Sequence, residues 1–177
     1  MRVLKQIALF VPLMALGAVL IGLPTIAFGS DDGQNFSARL IGINETPASI
    51  NTDGTATLHL KLNADSIDFE MTFQNLRSLP IQSHIHFGLP RTSGGVSVFF
   101  CGPAGSPAKQ TCPQSLSGTV KGNLTMADVI GPIPQGIAPN DLASLMRQIR
   151  GGNTYANIHT GMFQGGEIRG QIKRSDD

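Results

Sequence analysis

Two runs of strict alternation stand almost back to back and limit the fold more than anything else in the chain. In TATLHLKLN, Ala56, Leu58, Leu60 and Leu62 take one side, while Thr57, His59 and Lys61 take the other. After a turn at residues 63–66, Ile67, Phe69, Met71 and Phe73 alternate with Asp68, Glu70 and Thr72. A period of two is the period of a strand, and so short a connection allows only an antiparallel partner. The pair reads as a hairpin with one dry face and one wet face. His59, between Thr and Lys, belongs to the wet face and reads as a surface histidine.

The same pattern recurs along the chain. Phe36–Leu40 starts a first strand, and Asp53-Gly54 marks a turn. In residues 81–87, Ile81, Ser83, Ile85 and Phe87 share one side; Gln82, His84 and His86 share the other. Val96–Phe100 and Leu116–Leu124 read as further strands. Tyr155, Asn157 and His159 oppose Ala156, Ile158 and Thr160. Glu167, Arg169 and Gln171 oppose Ile168, Gly170 and Ile172. One helix is predicted: Asn140 or Asp141 caps it, Leu142, Leu145, Met146 and Ile149 form its apolar stripe, and Gly151-Gly152 ends it. Many short strands with Gly and Pro turns predict an all-β fold, an antiparallel Greek-key-like β-sandwich or small barrel with one short helix.

Residues 1–29 do not fit that fold. Arg2 and Lys5 precede a long apolar run, and Ala27-Phe28-Gly29 offers small residues before a cut ahead of Ser30. This has the form of a secretory signal peptide, so residues 30–177 are expected to be one secreted or periplasmic domain. An uncleaved membrane anchor is the alternative, and the membrane is expected to be met only through this segment. Its removal takes away two basic residues and no acid, leaving eleven Lys and Arg against twelve Asp and Glu. No basic patch stands out, which argues against a nucleic-acid partner. Arg91 and Lys109 read as isolated, solvated charges.

Cys101 and Cys112 are the two cysteines, with Gly102, Pro103, Gly105 and Pro107 between them. In an exported chain a disulfide across this loop is the expected state. A metal pair or two free thiols are the alternatives, and the spacing matches no standard zinc pattern.

His84 and His86 project from one strand face, about 7 Å apart along it. If the strand carrying His159 is a neighbour, three imidazoles converge on one copper or zinc ion. Gln82 and Asn157 are then candidates to orient rings or add oxygen ligands, and Glu167 to be a ligand or an acceptor behind one. The alternative is a structural polar network, with His84 and His86 bonded to Asn157, Glu167 or Tyr155 and Arg169 paired with a carboxylate. Tyr155 and Phe163 are candidates for a recognition patch or for a core edge. No serine or cysteine has a convincing catalytic partner set, so no enzyme is expected.

Four segments together resemble the chordin-type CHRD domain: FSARLIGINETP (36–47), GTATLHL (54–60), SHIHFG (83–88) and YANIHTGMFQGGEIRGQI (155–172). The resemblance implies an all-β module of exported proteins with no general enzymatic activity. The long stretch 101–139 departs from the compact family pattern. The growth-factor antagonism of animal members is not expected to transfer, since one domain is present here. A weaker resemblance is to the copper–zinc superoxide dismutase fold, whose paired copper ligands His84 and His86 match in pattern. That enzyme needs a bridging histidine beside a zinc site, and no histidine lies between His86 and His159. Two functions therefore stand. One is an exported, non-catalytic module that binds an extracytoplasmic protein or envelope component, with no cofactor. The other is a metal-binding protein using His84, His86 and His159.

Overall fold

Alternation becomes strand wherever it runs for a few residues. The structure, a computed structural model, describes residues 34–175; the signal segment expected at residues 1–29 lies outside them. The strands are β1 (Gln34–Ile41), β2 (Thr55–Leu62), β3 (Ser66–Gln74), β4 (Pro80–Phe87), β5 (Gly95–Cys101), β6 (Gly118–Thr125), β7 (Thr154–Thr160), β8 (Ile168–Gln171) and β9 (Lys173–Arg174). Helix α1 (Leu142–Arg150) lies between β6 and β7. The β2–β3 hairpin has the register its alternation requires, Thr55 opposite Gln74 through Leu62 opposite Ile67. All eight of its inward apolar side chains are buried, while His59 is exposed opposite Glu70.

The strands form one sheet in the order β5-β4-β7-β8-β1-β2-β3-β6, with β9 added to β1. A short turn joins β2 to β3 and a longer loop, residues 161–167, joins β7 to its neighbour β8, whereas β3 connects to β4 and β6 to β7 by crossing to other parts of the sheet. This is a Greek-key arrangement. The sheet curls into a nearly closed barrel around Phe36, Leu40, Leu58, Leu60, Leu62, Ile67, Met71, Phe73, Ile85 and Phe100, each at most 2% exposed. At about 1.5–3 kcal/mol per fully buried side chain, this interior is the main favourable term in folding. Where β8 crosses β1 the backbones approach closely. A Cβ on Gly170 would stand 2.4 Å from the Arg39 carbonyl oxygen, so only glycine fits.

The two end strands, β5 and β6, meet at a seam. Gln110 bridges it, its Nε2 donating to Phe100 O and to Lys121 O, both at 3.2 Å. Cys101 and Cys112 are joined by a disulfide that fastens the Gln110 loop to the end of β5. Across the interior, Phe69 and Phe100 pack with ring centroids 4.7 Å apart. Lys109, expected to be an isolated charge, instead pairs with Asp128 at 2.6 Å. Folding brings Asp128, in the turn after β6, beside this loop, a pairing that sequence distance hid.

In α1, Asp141 is the cap, its carboxylate accepting from Ser144 N at 2.9 Å. Leu142, Leu145, Met146 and Ile149 are buried as the stripe predicts. One face assignment differs. Ile81 was expected beside Ser83 and Ile85 but is 37% exposed. The register between β4 and β7 shifts between Pro80 and Gln82, and such an irregularity turns a side chain out of its alternation.

Replacing both Cys101 and Cys112 by Ser is expected to lower unfolding free energy by about 3 kcal/mol, the loop-closure value for a short ring. Urea unfolding of the oxidised parent and of the double variant measures it; equal midpoints would show that the link does not hold the seam.

Candidate functional site

The pairing of β4 with β7 places the sequence-selected residues side by side. Gln82 lies opposite His159, His84 opposite Asn157, and His86 opposite Tyr155. Residues 83 and 85 and residues 156 and 158 fill the barrel, so their alternates point to its outer face. That outer face is not wet. His84 is 3% exposed, Asn157 3%, and His86 and His159 8% each. The β4–β5 loop folds over it, along with the turns after β1 and β7.

The cover is held by hydrogen bonds to backbone. His86 Nδ1 lies 2.9 Å from Gly94 O, and Gly94 N donates to Tyr155 Oη at 3.2 Å. His159 Nδ1 lies 2.8 Å from Gln164 O. A carbonyl oxygen only accepts, so both Nδ1 atoms carry the proton and, in the neutral rings, both Nε2 atoms carry lone pairs. His86 Nε2 faces His84 Nδ1 at 3.3 Å and Asn157 Oδ1 at 3.2 Å. His159 Nε2 is buried with no hydrogen-bond partner. One ring nitrogen from each of His84, His86 and His159 lies within 4.8 Å of the others. The ring centroids of His84 and His159 are 4.9 Å apart, and Phe99 meets His84 edge-on at 4.4 Å.

Beside this cluster the Tyr155 ring has two neighbours. His86 stacks parallel to it at 4.7 Å, and the Arg169 guanidinium carbon sits 3.4 Å from its centroid. Strand β7 lies between β4 and β8, so the two groups approach Tyr155 from its two sides. Arg169, expected to pair with a carboxylate, instead donates to Thr46 Oγ1, to Leu89 O at 3.1 Å and to Thr92 O at 2.8 Å. Gln171 adds bonds to Gly88 O and Gly152 O.

Glu167 is placed away from the histidines. It stands one step beyond the last paired residues of β7 and β8, Ile158 and Ile168. Its carboxylate accepts from Thr52 Oγ1 at 2.7 Å, Arg77 N at 2.9 Å and Thr160 Oγ1 at 2.8 Å. This fully buried hub ties three loops together and offers no oxygen to the imidazoles in the bonds it makes. Tyr155 is a ring within the covered face, not an exposed patch. Sequence reasoning missed Gly94, Gln164 and Thr46, because backbone acceptors and a loop hydroxyl carry no pattern of their own. The glycine pair Gly94-Gly95 was the available signal. A Cβ on Gly94 would stand 1.8 Å from Phe87 O, so the loop reaches His86 only with glycine there.

Burial governs the electrostatics. It pulls His84 down to about 3, helped by His159 and His86, and His86 down to about 4. It also lowers His159, against the carbonyl of Gln164. The three rings are therefore neutral at pH 7. Nearby Glu45 moves the other way: burial raises it to about 7, against the Thr46 N–H and the Arg169 charge.

The CHRD domain family model matches residues 36–172. No curated protein and no solved structure matches the chain.

Two outcomes are expected. Below pH 6.5 the unfolded chain protonates histidines that the folded chain keeps neutral, so stability falls as pH drops from 6.5 toward 4. Each such ring contributes a slope of up to about 1.4 kcal/mol per pH unit. Glu45 has the opposite sign between about 4.5 and 7, because there the folded state holds the extra proton, and it cancels roughly one histidine. Urea unfolding of chelator-treated protein between pH 7 and 4.5 should show a net decline, and His84→Gln should flatten it; a flat parent profile would contradict the buried neutral rings. Separately, Gly94→Ala should cost about 1–3 kcal/mol through overpacking, while Gly165→Ala, with open space around it, should cost far less. Equal unfolding midpoints for the two would remove Gly94 as the pin of the cover.

Proposed function

Because the chain belongs to the CHRD domain family over residues 36–172, we propose that it works as an exported, non-catalytic module that binds an extracytoplasmic protein or envelope component. The observation that carries this reading is the sealed polar face. Arg169, His86, Tyr155 and Gln171 are engaged in holding the 88–95 loop and its neighbours, which is what a scaffold for display requires. The Cys101–Cys112 link supports export, since such bonds persist in oxidising compartments.

The surface best suited to binding lies on the loops so held. Arg169 joins Thr46 of the β1–β2 connection to Leu89 and Thr92 of the β4–β5 loop. Gln135 reaches the same end, accepting from Gly95 N and donating to Phe87 O. The three segments present Ile43, Leu89 and Ile133 to solvent at 68%, 55% and 66% exposure. Apolar side chains on loops fixed to a rigid frame are a common form of recognition surface.

In the native cell the chain is expected outside the cytoplasm, starting near Ser30, with its disulfide intact. Recovery of a cytoplasmic chain with both thiols free would refute the export reading. A photo-crosslinking residue at position 89 should capture an extracytoplasmic protein, and one at exposed position 59 should not. Leu89→Asp should weaken the captured interaction roughly tenfold, the scale of an interface anchor. Indistinguishable crosslinks from positions 89 and 59 would overturn the loop surface as the binding site.

A further inference from the structure

We propose that His84, His86 and His159 form a buried site for one divalent transition-metal ion, Zn(II) or Cu(II), with Asn157 beside it. The proposal stands on the donor set and its geometry, and it does not depend on where the protein resides or what its loops bind.

The first support is the arrangement of lone pairs. Gly94 O and Gln164 O accept from the Nδ1–H groups of His86 and His159, which leaves the Nε2 lone pair of each ring turned inward, that of His86 toward His84 Nδ1 and that of His159 toward no partner. A backbone acceptor behind each imidazole is the usual way a protein orients a metal-binding ring and raises its basicity. The second is an unsatisfied atom. His159 Nε2 is buried and unpartnered, and His159 is one of the three clustered histidines. A buried polar nitrogen without a partner is costly, and an ion removes the cost directly. The third is a contact between like groups. Asn157 Oδ1 lies 3.2 Å from His86 Nε2, so two acceptors face each other unless the amide turns its NH2 inward or a cation sits between them.

The distances fit the ion class. A tetrahedral ion bound at 2.0–2.1 Å keeps its ligand nitrogens about 3.3 Å apart. His84 Nδ1 and His86 Nε2 are 3.3 Å apart. Three atoms no more than 4.8 Å from one another share a point within about 2.8 Å of all three, so a contraction of under about 1 Å per ring completes the site. Imidazole donors select zinc and copper over magnesium and calcium. The three rings come from two adjacent strands, a firmer base than loops.

The test uses exported protein purified without a histidine tag, stripped with a chelator, and titrated separately with Zn(II) and Cu(II). One ion per chain is expected, bound more tightly than micromolar, with a rise in melting temperature. His159→Gln should weaken binding at least about 100-fold, beyond what loss of an orienting partner alone produces. His59→Gln should change nothing. Near-UV circular dichroism and an intact Cys101–Cys112 link establish that the His159 variant is folded. Should it fail to fold, nitrogen-15 imidazole spectra of the parent decide: the Nε2 signals of His86 and His159 should move on adding one equivalent of Zn(II). Failure to take up either ion, uptake that survives His159→Gln, or unmoved imidazole signals would overturn the proposal. Binding of Zn(II) alone or of Cu(II) alone identifies the ion.

Discussion

The pairing of β4 with β7 is the constraint on which the rest turns. It joins segments far apart in the chain, as in the contact between His86 and Asn157, separated by seventy-one residues. Inside the barrel it brings Ser83 Oγ against Asn157 O at 2.7 Å and sets Ile85 beside Ala156. Outside it lines up His84, His86, Tyr155, Asn157 and His159. A one-residue slip would exchange the two sets, placing imidazoles in a hydrocarbon interior and isoleucines under a polar loop. Here the contrast that sets the register is between an apolar and a polar interior, where in β2 and β3 it is between a dry and a wet face.

Covering a polar face is expensive unless its groups are satisfied. Here the loops supply what the sheet lacks. Backbone carbonyls of Gly94 and Gln164 accept from imidazoles, and those of Leu89 and Thr92 accept from Arg169. Glu167 works in the opposite sense, a buried acceptor that gathers donors from Thr52, Arg77 and Thr160. The charged groups are thus separated, cation over Tyr155 and anion at the far end of β7. Each is bonded to neutral partners that loop movement would break.

The β2–β3 hairpin was readable because each of its strands has one solvated face, so burial wrote a clean period of two. Helix α1 was readable for a similar reason, with a capping Asp141 and a stripe at helical spacing. Residues 154–160 were harder. All seven are buried, and alternation there separates two kinds of interior rather than wet from dry. The trio of histidines could be named from strand parity, but their meeting depended on strand order, which short-range pattern does not encode. Glu167 shared parity with Arg169 and was placed beside the histidines on that ground. It stands past the end of the ladder, where Gly166 at φ +127° redirects the chain and parity stops holding. Ile81 failed for a different reason, a register shift between Pro80 and Gln82 near the start of β4. Parity is reliable within a regular ladder and fails past its ends and at its register shifts.

The seam between β5 and β6 has a consequence for how these molecules meet one another. A sheet that ends in two unpaired strands carries two rows of open amides and carbonyls, each a template on which another chain can add. In this barrel the two ends are turned toward each other, and the Gln110 amide occupies carbonyls on both. The disulfide keeps that amide in place. The cysteine link thus does more than tighten a loop: it holds in place the amide that occupies carbonyls on both end strands, the groups on which a second chain would otherwise pair.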